Sequence, residues 1–311
     1  MKNIFQKNVV LKDYTTYKIG GPAKYFLVIK TKEDLISAIK MAKQLKLSVF
    51  ILGGGSNVLI SDSGINGLVI KIANTKIALI NQDSVFVEAG TSSVKLMKFT
   101  IENSLSGVEW FAGIPGTVGG AIFGNAQAFG NKMSESVKSV EVLDLKTFKI
   151  INLSNKQCKF SLKNSIFKKN KNLIIISAIL KLKQIKKEEV EEKVKKYISY
   201  RKKNHPVKFP SAGSVFVNPE LIVKNKKLLA KFPELIEFNK WGVIHVGYLI
   251  EKCGLKGKRI GNAQISLQHA NFIVNLGGAK AKDVLQLIKL AKQKVKKMFN
   301  INLQQEIIWK S

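Results

Sequence analysis

Two short stretches of the chain are built to expose backbone. "LGGGSN" carries three consecutive glycines, Gly53, Gly54 and Gly55, followed by Ser56 and Asn57. Glycine tolerates positive φ and leaves its N–H groups uncovered, so a turn of this kind makes a nest suited to a diphosphate. It lacks the lysine of a P-loop, and a Walker-type reading fails. "GIPGTVGGA" is the second stretch. Gly113, Gly116, Gly119 and Gly120 leave room for a ligand at the backbone, Ile114 and Pro115 lie between them, Pro115 stiffens the turn, and Thr117 offers a hydroxyl. Each stretch alone also fits an ordinary structural turn. Two such loops, 60 residues apart from Gly53 to Gly113, together imply a large phosphorylated ligand gripped at two points, such as a dinucleotide. A third stretch, "SAGSVFVNP", sets Ser214 between small residues and a β-branched, aromatic run. On local chemistry Ser214 is a turn residue opening a strand; the competing reading is a hydroxyl that hands a proton to a substrate.

These residues need elements to hold them. "TKEDLISAIKMAKQLK" opens with Thr31 and Asp34 at capping-box spacing, and Leu35, Ala38, Ile39 and Ala42 form a helical stripe. "LSVFIL", "GLVIKI" and "SVFVEAG" read as strands, and "SVKLMKFTIENSL" as a helix. In "KKEEVEEKVKKYISYRKKNHP" one helical face carries Val190, Val194, Tyr197 and Ile198, and Pro206 stops the helix. A domain boundary is expected there. Beyond it, a helix from about Ala281 to Met298 buries Val284, Leu285, Ile288, Ala291, Val295 and Met298, and "INLQQEIIW" closes the chain as a strand.

Composition bounds the remaining possibilities. At 311 residues the chain exceeds one ordinary core, so two or three domains are expected. No run of about 18 apolar residues suggests a membrane span, and "MKNIFQKNVV" lacks the apolar core of a signal peptide. Cys158 and Cys253 are far apart, without metal-type spacing, which fits a reducing, cytoplasmic compartment and no metal. The net charge of +31 raises a nucleic-acid partner. Of 52 Lys+Arg residues, however, only Arg201 and Arg259 are arginine, whereas bidentate phosphate and base readers are usually rich in arginine. The lysines are spread along the chain, as on solvated faces.

"YTTYKIGGPAKYF", "LGGGSNVLISD", "GVEWFAGIPGTVGGAIFGN", "GSVFVNP", "HANFIVN" and "LQQEI" occur in this order along nearly the whole chain. Together they resemble the UDP-N-acetylenolpyruvoylglucosamine reductase family. The resemblance implies an α+β protein: an FAD-binding domain of the vanillyl-alcohol-oxidase type over 1–200, with two α+β subdomains at about 1–72 and 73–200. A C-terminal α/β substrate-binding domain follows over 201–311, its final strand returning toward the active site. The span before "GSVFVNP" resembles the compact subtype, without an inserted lid. FAD and NADPH are the implied cofactors and a UDP-sugar the implied substrate, with NADPH-dependent reduction of an enolpyruvyl ether as the reaction. Carried over residue by residue, Gly53 to Asn57 bind the FAD diphosphate, Gly113 to Gly120 line the flavin, and Ile19 and Gly20 pack near it. Ser214 becomes the proton donor and Glu306 supports the carboxylate end. Asn218, Arg201 and His269 become substrate contacts. A monomer with no specific nucleic-acid partner and no membrane insertion is expected.

The chain departs from the family pattern in places. "SLKNSIFK" has Lys163 where the family has an arginine at the enolate, so the charge is kept but the planar fork is lost. Asn204 and Val217 stand where lysines are common, and Gln127 stands where glycine is usual. These departures leave one alternative, a flavoprotein of the same superfamily with altered chemistry; the net charge leaves another, from a different class, a basic nucleic-acid-binding protein.

Overall fold

A computed structural model of the chain describes residues 4–311. It divides into two compact units. The first comprises residues 4–10, 22–55 and 65–203; the second comprises 11–21, 56–64 and 204–311.

The first five strands are β1 (Gln6–Val10), β2 (Pro22–Ile29), β3 (Val49–Leu52), β4 (Val58–Ile60) and β5 (Ile65–Ile72). In the first unit four of them form a sheet in the order β1-β2-β5-β3. β1 and β2 are antiparallel, while β5 runs parallel to both β2 and β3. Parallel strands need a crossover, and helix α1 (Lys32–Gln44) supplies it between β2 and β3. The Thr31 hydroxyl accepts the Asp34 N–H at 3.1 Å and starts this helix. Leu35, Ala38, Ile39 and Ala42 are its buried face, as the spacing predicts. A second sheet of the same unit is antiparallel and contains Ile77–Asn81, Ser84–Glu88, Val137–Asp144, Ile150–Ser154 and Leu173–Lys181. Helices α2 (Ser93–Glu102) and α3 (Val118–Phe123) belong to this unit. One apolar core fills it, with Trp110, Phe111 and Phe167 among its largest buried side chains.

The second unit has its own core. Its long helix spans Ala281–Phe299. The expected stripe is corrected: Leu287 and Phe299 are buried, whereas Leu285 is only half-buried and Met298 is exposed. The spacing 284, 288, 291, 295, 299 keeps one face inward to the last turn, and Asn300 at φ +58 ends the helix. The closing segment is also less regular than a single strand. Only Ile308–Lys310 is strand, parallel to β4, and Gln305 makes an isolated bridge to Phe216.

The long helix begins on a carboxylate from elsewhere in the unit. Asp62 accepts the N–H of Ala281 through Oδ1 at 2.9 Å and that of Lys282 through Oδ2 at 3.3 Å. It satisfies two orphan donors and opposes the positive end of the helix dipole. Asp62→Ala is expected to cost about 1 kcal/mol in urea unfolding; Asp62→Asn, which keeps one acceptor, should recover about half of that.

Candidate active site

The two glycine loops meet backbone to backbone in the first unit. A Cβ on Gly54 would lie 2.5 Å from the Gly116 Cα, and one on Gly53 would lie 2.9 Å from the Thr117 Oγ1. Gly116 has φ +137 and Gly113 φ +73, both of which disfavour a side chain. Thr117 caps α3, its hydroxyl oxygen accepting the Gly120 N–H at 3.3 Å. Gly119 serves packing instead, since a Cβ there would lie 2.7 Å from the Ala89 Cβ. Ser93 holds the second loop by donating its hydroxyl to the Ile114 carbonyl at 2.6 Å. The N–H groups of Gly54, Gly116 and Thr117 donate to no acceptor among the described residues. Unspent N–H groups on two touching glycine loops suit a diphosphate, so the residues present fit the flavin dinucleotide that the sequence motifs imply.

The same helix places Lys163. Just past the C-terminal end of α3, Asn125 donates its side-chain N–H to the Ser161 carbonyl at 2.9 Å, and the Ser165 hydroxyl donates to the Phe123 carbonyl at 2.7 Å. Between them Ser161–Asn164 is a turn closed by the Asn164 N–H on the Ser161 carbonyl at 3.1 Å. Lys163 is its third residue, with φ +51. A lysine in the left-handed region is uncommon and is held there by its anchored surroundings.

Arg201 is 7% exposed. Its Nε donates to the Ala112 carbonyl and one terminal nitrogen donates to the Trp110 carbonyl, both at 3.0 Å. Its guanidinium lies 4.9 Å from the centroid of Phe129. Burial pushes its pKa down to about 10, so the group is still charged at neutral pH. Arg201 thus pins the segment that leads into the second glycine loop. The positions Val190, Val194, Tyr197 and Arg201 share one face of the helix Lys187–Asn204, a spacing that carried this signal.

In the second unit, residues 214–217 thread between two backbone segments. Val215 N–H donates to the Asn271 carbonyl, Glu306 N–H to the Val215 carbonyl, and Val217 N–H to the Gln304 carbonyl, at 2.8–2.9 Å. Asn271 clasps Phe216 from both sides, accepting its N–H at 3.0 Å and donating to its carbonyl at 2.9 Å. This buried amide, in "HANFIVN", has a positioning role that sequence reading missed. Ser214 bridges to Phe272, and its hydroxyl has no hydrogen-bond partner among the described residues. Asn57 donates to the Glu306 carbonyl at 3.4 Å. The structure therefore brings Ser214, Glu306 and Asn57 into one backbone network, with Ser56 next to it in the chain. Asn218 accepts the Val246 N–H at 3.0 Å, which leaves its amide nitrogen as a donor. Ile19 is buried in the core of this unit, so only its backbone can face a ligand. Gly20 packs against Ile60 and Lys12 with φ +147. Val217 is buried, which suits valine better than the lysine common in the family.

His269 Nδ1 accepts the Asn271 N–H at 3.2 Å, so the neutral ring carries its proton on Nε2. Burial holds its pKa below the ordinary histidine value, the neighbouring backbone bond opposing this in part. The folded state therefore favours neutral His269, while the unfolded chain takes up a proton near pH 6.5. Its contribution to stability is full above about pH 6.5 and is lost as pH falls through the lower folded value. Urea midpoints should drop between about pH 7.5 and about pH 5.5, and His269→Gln should flatten that slope. His245, also lowered by burial, contributes in the same direction.

Comparison with known proteins matches both halves of the chain. An FAD binding domain model matches residues 23–154, and the model for the C-terminal domain of UDP-N-acetylenolpyruvoylglucosamine reductase matches residues 205–309. The chain is 37% identical over 300 residues to the UDP-N-acetylenolpyruvoylglucosamine reductase of Caldanaerobacter subterraneus subsp. tengcongensis, covering 96% of this chain and 91% of that protein. It is 38% identical over 301 residues to that of Halalkalibacterium halodurans, with 96% and 92% covered. The crystal structure of the enzyme from Thermus caldophilus superposes with a TM-score of 0.79 at 32% identity, covering 99% of this chain and all of that one. With 37–38% identity to these relatives over 96% of its length, the chain belongs to the UDP-N-acetylenolpyruvoylglucosamine reductase family.

Proposed function

We propose that the chain is an FAD-containing oxidoreductase that uses NADPH to reduce UDP-N-acetylglucosamine enolpyruvate to UDP-N-acetylmuramate, a step in making peptidoglycan precursors. The observation that supports it most is the backbone bond from Glu306 to Val215, which sets Ser214 and Glu306 on adjoining segments.

Bound flavin supplies the two-electron chemistry that links NADPH to the alkene. The substrate then dictates what the protein must add. Hydride arriving at C3 of the enolpyruvyl group leaves carbanion character at C2, which the adjoining carboxylate shares as an enediolate. That centre is a strong base, so an ordinary hydroxyl can serve as its acid. Ser214 gives its proton to C2 and regains one from solvent. Lys163 supplies positive charge at the carboxylate, and Glu306 supports the same end of the proton network. Asn218, through its amide nitrogen, and neutral His269, through Nε2–H, are donors to the substrate. Arg201 acts mainly through the loop it holds, with its Nε and one terminal nitrogen spent on carbonyls. We further infer a cytoplasmic monomer without a nucleic-acid target. No helix among the described residues is long and apolar enough to cross a membrane.

Ser214→Ala should leave anaerobic bleaching of the flavin by NADPH intact and abolish its reoxidation by the enolpyruvyl substrate; full-rate reoxidation would give the proton another source. Lys163→Ala should lower turnover at least about tenfold through weaker charge stabilisation, and Lys163→Arg should restore it. Equal turnover by Lys163→Ala and the parent would favour a family member with altered chemistry at the enolate.

A further inference from the structure

Lys71 lies on β5, the central strand between β2 and β3, in register with Leu52, the last residue of β3. The first glycine loop leaves β3 immediately after Leu52. Ligands of sheets with parallel strands gather beyond the carboxyl ends of those strands, which is where this lysine and this loop stand. The Lys71 ammonium donates to the Gly53 carbonyl. No carboxylate among the described residues pairs with it. Burial alone lowers its pKa, as expected for a cation that has lost water without gaining a counter-ion.

The geometry of one peptide gives this contact a consequence. The carbonyl of Gly53 and the N–H of Gly54 belong to the same planar trans unit, so they point in opposite directions. A lysine that holds the carbonyl on its own side turns the Gly54 N–H to the other. That N–H is among those on the paired loops that have no acceptor among the described residues. Three glycines in a row resist no rotation of this peptide by themselves, and neither Gly53 nor Gly54 carries a side chain to fix it. Alongside the packing on Gly116, the tethered carbonyl therefore favours one orientation.

We propose that Lys71 is a positioning residue for the flavin diphosphate, holding the Gly53–Gly54 peptide with its N–H turned toward the ligand. This rests on the assignment of the glycine loops to FAD. Its positive charge, paired with no carboxylate among the described residues, adds attraction for the same dianion.

The test is FAD binding by the deflavinated full chain, followed by fluorescence quenching, for the parent, Lys71→Met, Lys71→Gln and Lys71→Arg. Thermal melting of each apo form checks folding. Lys71→Met and Lys71→Gln should raise the FAD dissociation constant at least about tenfold, and Lys71→Arg should stay within about threefold of the parent. Apo melting temperatures close to the parent, together with weaker FAD binding, separate loop positioning from a general loss of structure. Should Lys71→Met fail to fold, Lys71→Gln carries the measurement. Unchanged affinity in either folded neutral variant, or equal loss in Lys71→Arg and Lys71→Met, overturns the proposal. A parent that binds no FAD at all would instead overturn the flavin assignment.

Discussion

Two backbones touch at Gly54 and Gly116, and the first unit is arranged around that contact. The 2.5 Å between the Gly116 Cα and the place a Cβ would occupy on Gly54 leaves no room for any side chain. Glycine at one position is therefore answered by glycine at the other. The contact concentrates N–H groups from two distant parts of the chain, which a single turn cannot do. Neighbouring elements are built outward from it. Thr117 ends the second loop and starts α3, and α3 leads through Asn125 to the turn that carries Lys163. On the upstream side, Arg201 anchors the carbonyls of Trp110 and Ala112. Displacing the loop would therefore move both a cofactor cradle and a charged side chain.

The second unit positions its reactive group by different means. Ser214 sits on a short ribbon held by backbone bonds on two sides and by the Asn271 amide. Buried amides of this type bond fully in one register only, so they specify position as well as contributing stability. His269 takes part in the same framework through the Asn271 N–H. A residue expected from motif comparison to meet substrate thus also holds the local backbone, and Asn218, on the Val246 N–H, does likewise. Side chains with such double duty have their rotamers fixed before any ligand arrives.

The departures from the family pattern have unequal weight. Val217 is buried, and an apolar residue there is consistent with its surroundings. Gln127 leaves its amide nitrogen buried and without a hydrogen-bond partner, a cost that glycine would not carry. Lys163 occupies a left-handed backbone position, and so combines unusual conformation with unusual chemistry. The scarcity of arginine, two among 52 basic residues, makes the burial of Arg201 the more telling. Its planar donors meet two carbonyls in a geometry that a lysine cannot reproduce.

Local pattern was enough for much of the fold. The capped helix α1 with its four buried residues, the strands around the glycine loops and the helix before Pro206 are read from periods of two and 3.6 residues and from caps, all set by near neighbours. The ordered motifs likewise placed the chain in its family. The pattern erred where a period is blurred, as at Met298 and Phe299, and where backbone bonds replace a regular strand, as in 301–307. Nor could it show that residues 11–21 and 56–64 join the second unit, that Arg201 faces two carbonyls, or that Lys71 reaches Gly53. The sequence by itself determined which residues could do chemistry and in which family. Only the tertiary structure decided which of them touch, because contact between residues far apart in the chain depends on packing and loop closure, which no local spacing encodes.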